Sequence, residues 1–125
     1  MQTTILIGLF ICHTLADYTH LSMPFMLSAK RLGKPLFPIL VHAFIHALLM
    51  FGFLGFFVSD SKTLILLSAF QLISHFLIDT LKGRMNVWFP ALQNSANKWH
   101  WIVFGTDQML HAFVIIAMSA YAVSF

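Results

Sequence analysis

Four apolar stretches of this chain each carry one pair of ionisable residues spaced i to i+4: His13 with Asp17, His42 with His46, His75 with Asp79, and Asp107 with His111. The pairs take up five of the seven histidines and three of the four acidic residues, and there is no glutamate. An ionisable side chain at the centre of a membrane helix costs roughly 3 kcal/mol even on the mildest scale. A chain that places nearly all its imidazoles and carboxylates there is expected to use them together, facing inward.

The stretches themselves read as membrane spans. Hydrophobic residues make up 59% of the 125 positions and charged ones 9%, with a mean hydropathy of +0.85. Both percentages depart from those of a soluble domain. A helix needs about 20 apolar residues to cross the hydrocarbon, so the expectation is an all-α, four-helix transmembrane bundle forming a single integral membrane domain over 1–125. Its spans are drawn at about 3–18, 36–58, 62–81 and 99–123. The first stretch lacks a basic leader and a small-residue cleavage site, and it carries His13 and Asp17 where a signal peptide is apolar; it reads as a retained span. Cys12 is the one cysteine, so no internal disulfide forms.

The basic residues set an orientation. Lys30, Arg31 and Lys34 lie between spans one and two, Lys82, Arg84 and Lys98 between three and four, and Lys62 alone between two and three. The positive-inside rule then puts the first and third loops in the cytoplasm of a bacterial inner membrane, with both termini outside. All four pairs then fall at one depth, near the cytoplasmic face. The formal net charge of +3 comes from these flanking residues and gives no nucleic-acid surface. Membrane lipid is the expected partner, with homo-oligomerisation open: Gly52, Gly55 and Ser68 permit close helix approach without specifying it.

Residues four apart share a helix face, so four helices can aim eight donors at one interior point, as bundles that build metal centres do. The candidate metal ligands are His13, Asp17, His42, His46, His75, Asp79, Asp107 and His111. Five imidazoles with three carboxylates suit one or two divalent ions, zinc, iron or manganese. Eight donors exceed one tetrahedral set, so either two ions share carboxylates or some residues orient the ligands by their other atoms. Hydrogen-bonded helix packing and a proton or ion relay are the competing readings of the same pairs. His20 and His100 fall outside them, at the interfaces.

The stretches His13-Thr14-Leu15-Ala16-Asp17-Tyr18, Leu40-Val41-His42-Ala43-Phe44-Ile45-His46-Ala47, His75-Phe76-Leu77-Ile78-Asp79-Thr80-Leu81-Lys82 and Asp107-Gln108-Met109-Leu110-His111 resemble, in that order, the motifs of a small bacterial and phage membrane family, domain of unknown function 3307. The resemblance covers nearly the whole chain. It implies that Lys82 and Gln108 belong with the eight paired residues as polar motif positions, and it assigns no activity. Leu21 to Lys34 departs from the family pattern. In its small size and intramembrane His and Asp the chain is also similar, more distantly, to inner-membrane metal-dependent hydrolases.

The leading functional expectation is a membrane-embedded metal-dependent hydrolase of a lipid-linked ester or phosphoester at the cytoplasmic face. Asp17 or Asp107, whichever does not ligate the ion, would be the proton acceptor, with Lys82, Arg84 and Gln108 binding substrate. Met23 to Lys34, and the segment Asn86 to Asn97 with its flanking tryptophans, should rest in the headgroup layer. Three alternatives come from other classes. A di-iron oxidase or desaturase would want more histidine. A metal-ion transporter would need a polar path through outer halves that are almost wholly apolar. In a non-catalytic bundle, the ion would only staple the helices together.

Overall fold

The computed structural model describes residues 1–124, which are largely helical and contain no strand. Five α-helices follow in order: α1 (Gln2–Tyr18), α2 (Pro24–Leu32), α3 (Leu36–Leu54), α4 (Ser61–Trp88) and α5 (Lys98–Ala122), with a short 3-10 turn at Pro90–Gln93. Helices α1, α3, α4 and α5 pack pairwise in a closed ring, and α2 lies across α3 and α4 at one end.

The helix starts follow from local chemistry. Asp60 caps α4 by accepting from the Thr63 amide at 2.9 Å, and Asn97 caps α5 by accepting from the Trp99 amide at 3.1 Å. Pro24 opens α2, where its missing N–H costs nothing, and Gly33 closes it in the left-handed region at φ 67°.

The span count differs from the four expected. Among the described residues three helices, α3, α4 and α5, are long and apolar enough to cross a membrane. At 17 residues, α1 is about 25 Å long, short of the roughly 30 Å hydrocarbon core. It joins the ring at the lower edge of the length a span requires. Helix α4 corrects a second boundary: it runs through Lys82, Gly83 and Arg84 to Trp88 instead of stopping at Leu81. Lysine and arginine are good helix formers, and the glycine is tolerated because α2 packs against it. A Cβ at Gly83 would collide with Gly33 N and Lys30 O, and one at Gly33 with the Arg84 backbone, so each glycine admits the other's helix. Asn86 secures the contact by donating to Arg31 O at 2.9 Å.

Buried positions recur every four residues on each helix of the ring. They read Ile5, Leu9, His13 on α1; His42, His46, Met50, Leu54 on α3; Leu67, Gln71, His75, Asp79 on α4; and Asp107, His111, Ile115 on α5. Adjacent ring helices run in opposite directions, so the apolar members meet at one end, in a core of Ile5, Leu9, Met50, Leu54, Val58, Leu67, Ile115, Met118 and Ala122. The ionisable members meet at the other. Facing outward are large apolar side chains such as Phe37, Phe44, Phe56, Leu66 and Phe113, the surface a bilayer solvates. Trp88, Phe89, Trp99 and Trp101 are exposed around the polar end, where an interfacial aromatic belt would sit.

Candidate metal centre and adjoining cavity

The eight paired residues come together inside the polar end of the ring. Asp17, at the last turn of α1, receives three histidines: His13 Nε2 stands 3.2 Å from Oδ2, while His42 and His46 Nε2 each stand 3.0 Å from Oδ1. Asp79 on α4 gathers the second group, with His75 Nε2 3.1 Å from Oδ2 and His111 Nε2 3.3 Å from Oδ1. His42 bridges the groups at 3.8 Å from Asp79 Oδ2. The rings touch one another as well, His46 and His75 at 3.7 Å between centroids and His75 and His111 at 4.3 Å. His42, His46 and His75 are at most 1% exposed.

The donor set fits a cation. Metal–ligand bonds near 2.0–2.2 Å place neighbouring ligand atoms roughly 3.0–3.5 Å apart, and most of the N···O separations here lie in that interval. Two sets can hold an ion: Asp17, His42, His46 and His75, and separately His75, Asp79 and His111. His75 is common to both, so two ions would have to share it or one ion has alternative seats. Several buried atoms have no hydrogen-bond partner among the described residues: His75 Nε2 and Asp79 Oδ2 face each other without the alignment of a hydrogen bond, and Asp107 Oδ1 stands 3.6 Å from His111 Nε2. Orphaned buried acceptors are costly, and a bound ion would satisfy those that face it.

His13 and Asp107 stand outside both sets. His13 holds Asp17 by the oxygen its other histidines leave free, and Asp107 braces His111 while accepting from Gln108 Nε2 at 3.0 Å and meeting Lys82 Nζ at 3.5 Å. Arg84 packs against Gly33 instead of entering the site. His20 is exposed, and His100 bonds the Leu92 carbonyl through Nδ1 at 2.6 Å.

Two residues enter the centre that the pair spacing does not announce. Lys30, carried by α2, brings Nζ to 3.1 Å from His42 Nε2, 3.5 Å from Asp79 Oδ2 and 3.6 Å from Asp17 Oδ1. Burial alone would push its ammonium down, but the carboxylates of Asp79, Asp17 and Asp107 outweigh that and hold the pKa above its ordinary value. Gln71 places its amide 3.4 Å from His75 Nδ1 with Oε1 otherwise unpartnered. Exchanging the amide O and N, which are alike in shape, would let Oε1 accept from Nδ1–H and leave the Nε2 lone pair free for an ion. Its place four residues before His75 on the buried stripe was the available signal; for Lys30 there was none, because only the fold of α2 turns it inward.

Beside the centre lies a cavity of about 370 Å³. Asp17, Asp79 and Asp107 line it together with Lys30, Arg31, Lys82 and Gln108. Three cations stand there within reach of the same space as the carboxylates that hold the histidines.

The chain belongs to the family described as protein of unknown function (DUF3307), whose pattern it matches over residues 5–125. No curated protein and no solved structure matches it.

Proposed function

Because this family membership brings no activity with it, we propose from the geometry that the protein is a metal-dependent hydrolase of a phosphate ester, working within the membrane at its cytoplasmic face. The observation that carries the reading is the cavity that Lys30, Arg31 and Lys82 line together with Asp17, Asp79 and Asp107. Cations beside a cluster of histidines and carboxylates suit a substrate that is itself anionic, and bidentate or clustered Lys and Arg contacts are how phosphate is held. The orientation is part of the proposal: six of the seven Lys and Arg residues flank the polar end. The start of α1 and the end of α5 would then face outward.

In this reading Asp17, His42, His46 and His75 hold the ion, with Asp79 and His111 completing or shifting its seat. A divalent ion bound there supplies a water of lowered pKa and a Lewis-acid contact for a phosphoryl oxygen. Lys30, Arg31 and Lys82 fix the remaining phosphoryl oxygens and neutralise their charge. Asp107, at the cavity wall and outside both ligand sets, takes the proton as the water oxygen bonds to phosphorus. It returns that proton to the ester oxygen as the P–O bond to the alcohol breaks. The apolar end argues against transport, since Ile5, Leu9, Met50 and Leu54 at 0% exposure close the path an ion would need.

The test is to strip the purified protein of divalent ions, refill it with zinc, manganese or iron, and follow phosphate release from alkyl and isoprenyl phosphates with elemental analysis in parallel. Asp107→Asn should keep the metal content and lose turnover by about a hundredfold or more, the share of a positioned acid–base group. Full metal occupancy with no phosphate released from any of these esters would overturn the reading.

A further inference from the structure

Resting on that hydrolase reading, we propose that the substrate is a lipid phosphate taken from the inner leaflet, its phosphate in the polar cavity and its single hydrocarbon chain laid along the outer seam between α4 and α5. An apolar hollow of about 320 Å³ opens on that seam, walled by Leu77, Ile78, Leu81, Met85 and Leu110. It adjoins the polar cavity: Lys82, Val103 and Asp107 line both spaces. Lys82 is the post between them, its side chain 30% exposed and its ammonium 4.8 Å from the Phe104 ring centroid.

The seam continues away from the charge. A second apolar hollow on the same two helices is lined by Leu66, Phe70, Ala117 and Tyr121. On α4 the positions Leu66, Phe70, Leu77 and Leu81 recur at intervals of four, seven and four residues, which keeps them on one face. From Lys82 back to Leu66 the helix rises about 24 Å, the scale of one extended long hydrocarbon chain. An amphiphile with an anionic head and one tail therefore matches the order of the surfaces: cations at the junction, then apolar hollows along the seam.

A tail in the seam gains little from leaving the bilayer, because lipid is as apolar as the groove. Its contribution is to hold the phosphate ester bond over the centre, so blocking the seam should act on long-chain substrates only. The apolar hollow on α1 around Ile7, Phe10, Ile11 and Leu15 has no cation at its edge and serves as control. With metal-loaded protein, Leu110→Trp is expected to lower hydrolysis of a sixteen-carbon alkyl phosphate about tenfold, to leave a short water-soluble alkyl phosphate unchanged, and Ile11→Trp to change neither. Equal loss on both substrates, or no loss on the long one, overturns the seam. A binding arm stands apart from turnover: a spin-labelled alkyl phosphate should be immobilised by the wild type, less by Leu110→Trp, while inorganic phosphate binding stays equal in the two. If neither ester is hydrolysed by the wild type, the hydrolase reading falls, and the binding arm still decides the seam, which is refuted if the label is as mobile in the wild type as in Leu110→Trp.

Discussion

On α1 the buried stripe passes from Ile5 and Leu9 to His13, with Asp17 one turn further on; on α3 it runs the opposite way, from His42 and His46 to Met50 and Leu54. One spacing thus builds two unlike halves. In the apolar half, helix meets helix almost wholly by dispersion, the Cys12 thiol donating to the Leu49 carbonyl at 3.8 Å beside it, and since a surrounding bilayer would be equally apolar, no hydrophobic gain selects this packing over another. Leu9 against lipid and Leu9 against Leu54 are nearly alike. In the polar half, a carboxylate or imidazole turned outward would lose its partner in hydrocarbon, at several kcal/mol. The contrast teaches that the half carrying the candidate site is also the half that decides which faces of the helices turn inward, while the apolar half fills space and shuts the path behind it.

The sharpest break is Asp79→Ala. It removes the carboxylate shared by His75, His111 and Lys30, and leaves Lys30 one partner short. Breaking a buried ionic set by one member costs about 3–5 kcal/mol. Metal content should fall with it, and detergent-solubilised protein should melt earlier by circular dichroism and lose hydrogen-exchange protection first in α2 and the last turns of α4. A variant that kept both its metal and its melting temperature would show that the polar half does not organise the bundle.

Leu54→Ala probes the other half and should separate stability from the site. Leu54 is 0% exposed, and truncating a fully packed leucine costs about 2 kcal/mol or more through the cavity left behind. Thermal unfolding should register that loss while elemental analysis finds the metal unchanged per chain. Loss of the metal in this variant would mean that the two halves are coupled along the helices and the contrast between them is false.

The same contrast explains what could be read in advance. Periodicity carries both halves: the four-residue recurrence that marks Ile5 and Leu9 as buried also marks His13, and a polar residue on an apolar stripe inside a hydrocarbon span has nowhere to face but inward. The meeting of the eight side chains was therefore legible. Length is less legible at α1, where an apolar run with His and Asp at its end reads as a span, although its 17 residues fall below the about 20 that a crossing helix usually takes. The extension of α4 to Trp88 was hidden because Lys82 and Arg84 look like a boundary, and only the fit of Gly83 against α2 makes the helix worth continuing. Lys30 was hidden for the same reason. A basic residue after an apolar run reads as a topological anchor, and the inward reach of its side chain depends on α2 folding back over the ring, a tertiary event that no local pattern encodes. Gln71 lies on the same stripe, but the pattern of imidazoles and carboxylates does not single out an amide.

The smallest expected effect lies at the apolar end, where the one acidic residue outside the cluster does ordinary helix work. Asp60 accepts from the Thr63 amide at 2.9 Å and from its hydroxyl at 2.6 Å, and these bonds hold its carboxyl below the usual carboxylate value. A folded-state pKa that is depressed stabilises the fold above the ordinary carboxylate value, and the contribution fades as pH falls through the lowered one. The stability difference between wild type and Asp60→Ala should therefore be constant above about pH 5 and shrink below it. The metal content of the two proteins at neutral pH should be the same. A difference that grew on acidification would reverse the sign of the linkage and show that the cap works without its charge, whereas a change in metal content would carry the influence of this carboxylate the full length of α4 into the opposite half.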